Sequence, residues 1–164
     1  MKKRFLLLLV FTSFSSFSQT DFSKVARTTP ADFKAAEKSV LEASNYVLST
    51  PLDSKDTKRA AAVKLIRDWE VGTEDYSFII EEDFITAKIS PENKDLPGIY
   101  LASMAKTTLE DPKQNEDVTG LSVKAIKAMV AYAEKPANKV EMTPAVKKLV
   151  ELNKKGELDK LFQQ

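Results

Sequence analysis

Residues 95–109 read DLPGIYLASMAKTTL. Ile99, Tyr100, Leu101, Met104, Ala105 and Leu109 recur at helical spacing. Asp95-Leu96-Pro97 makes an opening, because proline is tolerated in a first helical turn, where its missing N–H is not needed. No other helical stretch of this chain is as apolar. A helix that is apolar over much of its surface must be covered on several sides. This segment is therefore expected at the centre of an all-α fold, and the rest of the chain must supply the helices that wrap it.

Those helices can be read on both sides. Upstream, Thr29-Pro30 opens a helix that carries Phe33, Ala36, Val40, Ala43, Val47 and Leu48 on one stripe, with Lys34, Glu37, Lys38 and Glu42 opposite; Thr50-Pro51 ends it. A second helix is expected from Asp53 or Ser54 to Val71. Its apolar stripe is Ala62, Val63, Ile66 and Trp69 or Glu70, while Lys58, Arg59, Lys64, Arg67 and Asp68 point to water. Gly72 is placed to stop it in the left-handed conformation. The short connection makes the two helices an antiparallel pair.

Downstream, Leu121, Ala125, Ile126, Met129, Val130 and Ala133 define a helix over residues 121–134, halted by Lys135-Pro136. Thr143-Pro144 repeats the first helix's opening. Val146, Leu149, Val150 and Leu152 then pack, Gly156 terminates, and Leu158, Leu161 and Phe162 form a last turn that folds back. Residues 74–89 are ambiguous. As a helix, Asp75 caps it and Tyr76, Ile79, Ile80, Phe84 and Ala87 share a face. As strands, residues 77–80 and 84–89 flank Glu81-Glu82-Asp83. The helix is preferred, because that connection lacks the Asn-Gly or Asp-Gly chemistry of tight hairpins.

The reading is an all-α, irregular bundle of about six helices built from antiparallel helix pairs. One alternative is α with a small β-hairpin at 76–89. The other is a short stack of helical hairpins: residues 101–112 (LASMAKTTLEDP) resemble the second helix of a tetratricopeptide unit. The aromatic, small and proline positions of that roughly 34-residue motif do not line up elsewhere in the chain, which favours the irregular bundle.

The start of the chain carries an address. Met1-Lys2-Lys3-Arg4 is cationic, residues 5–11 (FLLLLVF) are apolar, and residues 12–18 turn small and polar, with Ser16 and Ser18 on either side of Phe17. This is the layout of a bacterial secretory signal peptide, with cleavage expected between Ser18 and Gln19. The apolar run is shorter than the roughly 20 residues that a membrane span needs. The expected organisation is a signal peptide over 1–18, a flexible N-terminal arm over 19–28 and a single helical domain over 29–164, with the product periplasmic or extracellular. Cleavage removes three cations and no acid, so the formal charge of +1 becomes about −2. Such a balance gives no field to gather phosphate backbones, and nucleic acid is not an expected partner.

Chemistry is bounded by what the chain lacks. It contains no histidine and no cysteine, which removes His-based triads, thiol catalysis, ordinary zinc ligation and histidine-held haem. No cofactor or metal is expected, and no phosphate-cradling glycine motif occurs. Ser103-Met104-Ala105-Lys106 matches a bare S-x-x-K, without the S-D-N and K-T-G partners that pattern needs. Asn115 to Gly120 matches the first half of a calcium loop, but the twelfth position is Ile126, where a bidentate Glu belongs; a capped turn is the plainer reading. Glu81, Glu82 and Asp83 read as a solvated acidic face. Glu70, beside Trp69, is the place where a carboxyl would be desolvated.

What remains is a surface. Amphipathic aromatics suit binding, so Trp69, Tyr76, Tyr100 and Tyr132, with Phe78, are the candidate binding residues, each with a core role as the simpler alternative. The expected function is that of an exported binding or interaction protein of the bacterial envelope, not an enzyme, with an unknown protein, peptide or envelope component as partner. The alternatives are a carboxylate-dependent hydrolase of wall or glycan material that uses Glu70 and the acids at 81–83, or an inhibitor or structural partner of a secreted protein.

Overall fold

A computed structural model describes residues 20–78, 93–113 and 117–163. Among these residues the chain is all-helical, with no strands. Five α-helices follow one another: α1 (Pro30–Ser49), α2 (Thr57–Gly72), α3 (Leu96–Glu110), α4 (Val118–Ala133) and α5 (Pro144–Lys155). Three short 3₁₀ turns, Phe22–Lys24, Pro136–Asn138 and Leu158–Phe162, complete them.

Capping chemistry sets the boundaries. Thr29 accepts the Asp32 amide while the Asp32 carboxylate takes the Thr29 amide, a reciprocal box that satisfies two orphan donors ahead of Pro30. Asp56 caps α2 through the Arg59 amide, so this helix begins after the Asp53 or Ser54 start that its sequence invites. Asp117 caps α4 through the Gly120 amide at 2.8 Å, and that helix begins before Leu121. Thr143-Pro144 opens α5, and Gly156, at φ 70°, closes it in the left-handed region.

The α1–α2 pair is antiparallel: the Trp69 indole near the end of α2 reaches the Phe33 carbonyl at the start of α1, while Arg59 at the start of α2 reaches Val47 at the end of α1. α3 is the hub and packs on α1, α2 and α4. Ile99, Tyr100, Ala102, Met104 and Ala105 are fully enclosed. Gly98 faces Val63, whose methyls would lie 3.1 Å from a Cβ there, so the missing side chain lets α2 and α3 approach. α5 and the last 3₁₀ turn lean on α4, with Leu158 buried.

Four expectations need correction. Gly72 is the last residue of α2 and does not take a left-handed φ; a Cβ there would overlap the Phe33 ring, so the position demands smallness, not backbone freedom. Arg59 is buried, because its guanidinium is drawn onto the carbonyl end of α1. Residues 20–28 are no loose arm: Phe22 is 4 % exposed and Arg27 pairs with Asp68 of α2 at 2.6 Å. Residues 74–78 are irregular instead of opening a helix at Asp75. Tyr76 and Phe78, two apart, both meet the Trp69 ring, at 5.5 and 5.7 Å between centroids, which a helical turn does not allow. The remainder of the 76–89 ambiguity lies outside the described residues.

Candidate functional site

The four aromatic candidates separate by burial. Trp69 and Tyr100 are fully enclosed and Tyr132 is 3 % exposed, so their rings belong to the core and not to an open face. Trp69 donates to the Phe33 carbonyl at 3.0 Å. Tyr132 donates to the Thr50 carbonyl at 2.6 Å. Tyr76 is half-buried: it covers Trp69, donates to Glu37 at 3.1 Å and lies 5.8 Å below the Lys34 ammonium.

Glu70 is the most perturbed acid. It is 4 % exposed, and neither carboxyl oxygen has a hydrogen-bond partner among the described residues. Burial pushes its pKa well above the ordinary carboxyl range, and the backbone of Ala105 on α3 offsets only part of this. The Tyr100 hydroxyl is also buried without a hydrogen-bond partner among the described residues. It is pushed up to about 12 by burial, with a further contribution from the Glu70 charge. Ser122 of α4 adjoins this pair but gives its own hydroxyl to the Val118 carbonyl at 2.9 Å. The arrangement places a carboxyl inside the core in surroundings that favour its neutral form. Glu81, Glu82 and Asp83 lie outside the described residues.

The other motifs resolve into structure. Ser103 is buried and donates to the Ile99 carbonyl at 2.8 Å, whereas Lys106 reaches Asn45 of α1 and Glu110, so the two form no nucleophile–base pair. In the calcium-like segment, residues 114–116 are outside the described residues, and Asp117 is occupied in capping α4. Among the described residues no group of three or more acidic side chains could hold a metal ion, and no described helix is long and apolar enough to cross a membrane.

A groove with room for a ligand lies elsewhere. A groove of about 750 Å³ runs along one face of α2 and is bounded by the start of α3, within the size range of small-molecule and peptide sites. Asp56, Arg59 or Ala60, Val63 or Lys64, and Arg67 or Asp68 recur at helical spacing, so a single face of α2 supplies the wall. Ala60, Val63 and Gly98 are its apolar lining, and Lys94 and Asp95, just ahead of α3, line it as well.

Its charges differ in commitment. Burial pushes Asp68 up, but Lys64 at 2.7 Å and Arg27 at 2.6 Å outweigh this and hold its carboxyl below the usual range. The Arg59 amide holds Asp56 low as well, and Asp56 also accepts from the Tyr46 hydroxyl at 2.9 Å. Arg59 gives its guanidinium to the Val47 and Thr50 carbonyls at 2.8 and 3.1 Å and stacks over Tyr132. Arg67, Lys94 and Asp95 have no ion-pair partner among the described residues, and all three are exposed. Sequence reasoning missed this site because each residue, taken singly, reads as part of a solvated helix face. The clue would have been the charges from Asp56 to Asp68 that recur on one side of a helix.

Comparison of the chain with protein-family models, with curated proteins and with solved structures finds no match.

Proposed function

We propose that the chain is an exported binding protein of the bacterial envelope, and that the groove between α2 and the start of α3 takes a peptide segment carrying charges of both signs. The observation that carries this reading is the groove itself: an apolar lining of Ala60, Val63 and Gly98 beside two cations, Arg67 and Lys94, and an acid, Asp95, that have no ion-pair partner among the described residues. Apolar contact gives such a site its affinity, and rim charges select and orient the partner. Export is supported by the basic, apolar and small-polar order of residues 1–18. Binding is favoured over carboxylate-dependent hydrolysis because Glu70 is enclosed in the core and lines neither described groove.

The test is a titration of the isotope-labelled mature chain with synthetic peptide pools that are neutral, polycationic, polyanionic or of mixed charge. Mixed-charge peptides are expected to move amide signals over residues 56–68 and 94–98. The double variant Arg67→Glu with Lys94→Glu is expected to weaken that response at least about tenfold, the scale of one lost charged contact at a rim. A response confined to other parts of the molecule, or to none of the pools, overturns the proposal.

A further inference from the structure

The charges around the groove are unevenly placed. Ahead of α2, Asp53 and the cap Asp56 line it, and they accept from neutral donors: the Lys55 amide at 2.9 Å, the Arg59 amide at 2.9 Å and the Tyr46 hydroxyl at 2.9 Å. Arg59 lines the same end, but its guanidinium is buried and turned to the Val47 and Thr50 carbonyls. Further along α2 the sign changes. Lys64 at 2.7 Å and Arg27 at 2.6 Å both reach one oxygen of Asp68, Oδ2, and Arg67 adds an exposed guanidinium. Three cations meet one carboxylate there. Lys94 and Asp95, adjacent in sequence and opposite in sign, favour neither end.

Arg27 is the member of this set that does not line the groove. It belongs to the arm ahead of α1, and its side chain is 18 % exposed. A second bond, from Nη1 to the Val25 carbonyl at 2.8 Å, fixes its direction. Phe22 anchors the same arm in the core. Without Arg27, Lys64 alone would face Asp68, and the positive excess at this end would fall to Arg67.

We infer that the groove reads charge order: it takes an extended segment whose basic side chain lies at Asp53 and Asp56 and whose acidic side chain, about five residues away, lies at Arg67, with Arg27 biasing that second end from outside. This rests on the proposed peptide groove and adds the direction in which the segment lies. The spacing follows from helix geometry. Asp56 and Arg67 are eleven positions apart, about three turns, so they share a face at a separation of about 16 Å. An extended chain covers that distance in about five residues. Ends of opposite sign orient a dipolar partner, because the reversed segment would bring like charges together. Arg27 is a positioning residue in this scheme and acts through Asp68.

The probe is a peptide blocked at both termini, with one Lys and one Glu five positions apart, Ala and Val between them, and a nitroxide beside either charge. With the label beside Glu, amide signals of residues 64–68 of the isotope-labelled protein are expected to broaden most; with the label beside Lys, those of residues 53–57. Equal broadening of both ends, or the reverse pattern, overturns this inference and leaves the groove reading intact. No broadening over residues 53–68 and 94–98 overturns the groove reading and this inference with it. Arg27→Gln tests the bias. It is expected to weaken binding of this peptide about threefold, the scale of one partly screened charge contact, and to leave a peptide with Gln in place of Glu unaffected. The Asp68 carboxyl carbon of the variant should titrate at higher pH than that of the wild type, because a cation has been removed from it. Equal losses for the two peptides would show that Arg27 serves the fold alone and would overturn its part in the proposal.

Discussion

The Phe33 ring lies in the space that a side chain on Gly72 would require, so the start of α1 and the end of α2 meet with a ring on one side and bare backbone on the other. Gly72→Ala tests this contact. An exposed helical glycine gains up to about 1 kcal/mol on replacement by alanine. Here overpacking is expected to outweigh that gain and give a net loss of about 1–2 kcal/mol, read as a lower urea midpoint. A stabilised variant would show that the Phe33 ring moves aside freely.

Glu70 makes stability depend on pH in a fixed direction. Its folded pKa lies above the unfolded value, because burial disfavours the charged form. The folded state therefore keeps a proton that the unfolded state releases above the ordinary carboxyl range. Stability from this group is complete below that range and declines as pH rises toward the folded value, by at most about 1.4 kcal/mol per pH unit. Glu70→Gln keeps the shape and removes the titration. It is expected to flatten the decline and to be the more stable protein at pH 9, as measured by urea unfolding at pH 5, 7 and 9. Parallel wild-type and variant curves would sink the account.

Arg59 joins three elements: it sits on α2, receives the carbonyl end of α1 and stacks over Tyr132 of α4. Its positive charge also suits the C-terminal end of α1. Arg59→Met keeps much of the volume and leaves the Val47 and Thr50 carbonyls without this donor. A loss of about 2–3 kcal/mol is expected. Tyr132→Phe, which removes the bond to the Thr50 carbonyl, should cost about 1 kcal/mol. The two losses should fall short of additive in the double variant, because Arg59 and Tyr132 share the Thr50 carbonyl.

Lys139 carries the one positive φ of a non-glycine residue among those described, at 57°. It follows the turn in which the buried Asn138 donates to the Tyr132 carbonyl at 2.8 Å. A side chain in this region costs about 1 kcal/mol or more, which glycine avoids. Lys139→Gly is expected to raise the melting temperature and Lys139→Val, with its branched Cβ, to lower it. The opposite order would show that the turn rearranges.

Phe22→Ala should destabilise by about 3 kcal/mol, the usual cost of truncating a buried aromatic. An effect below about 0.5 kcal/mol would mean that the segment contributes nothing to the fold.

Much of the architecture could be read locally. Thr29-Pro30, Thr143-Pro144 and Gly156 announce their helix ends, because capping and left-handed glycine depend on neighbours in sequence. The apolar density of residues 96–109 likewise places α3 centrally. The rest depends on partners far along the chain. Gly72 has the same local signature whether it frees a backbone or makes room for Phe33. Arg59 looks solvated until the end of α1 is brought to it. Phe22 is a single aromatic in a polar stretch, with no period to report its burial. The groove was least legible, because it arises where Gly98 lets α3 approach Val63 and leaves the α2 charges facing a wall.

The enclosure of α3 bears on how this protein can drift. Nine of its fifteen residues are buried, including Ser103 and Thr108. Substitutions there are felt by α1, α2 and α4 together, so a neighbour's change cannot easily absorb them. In a saturation library scored for soluble yield, this segment should be the most intolerant stretch, with Lys106 and Glu110 as its permissive positions. Divergent descendants of the chain would then be traced through α3, long after α5 and the surface of α2 had lost their resemblance.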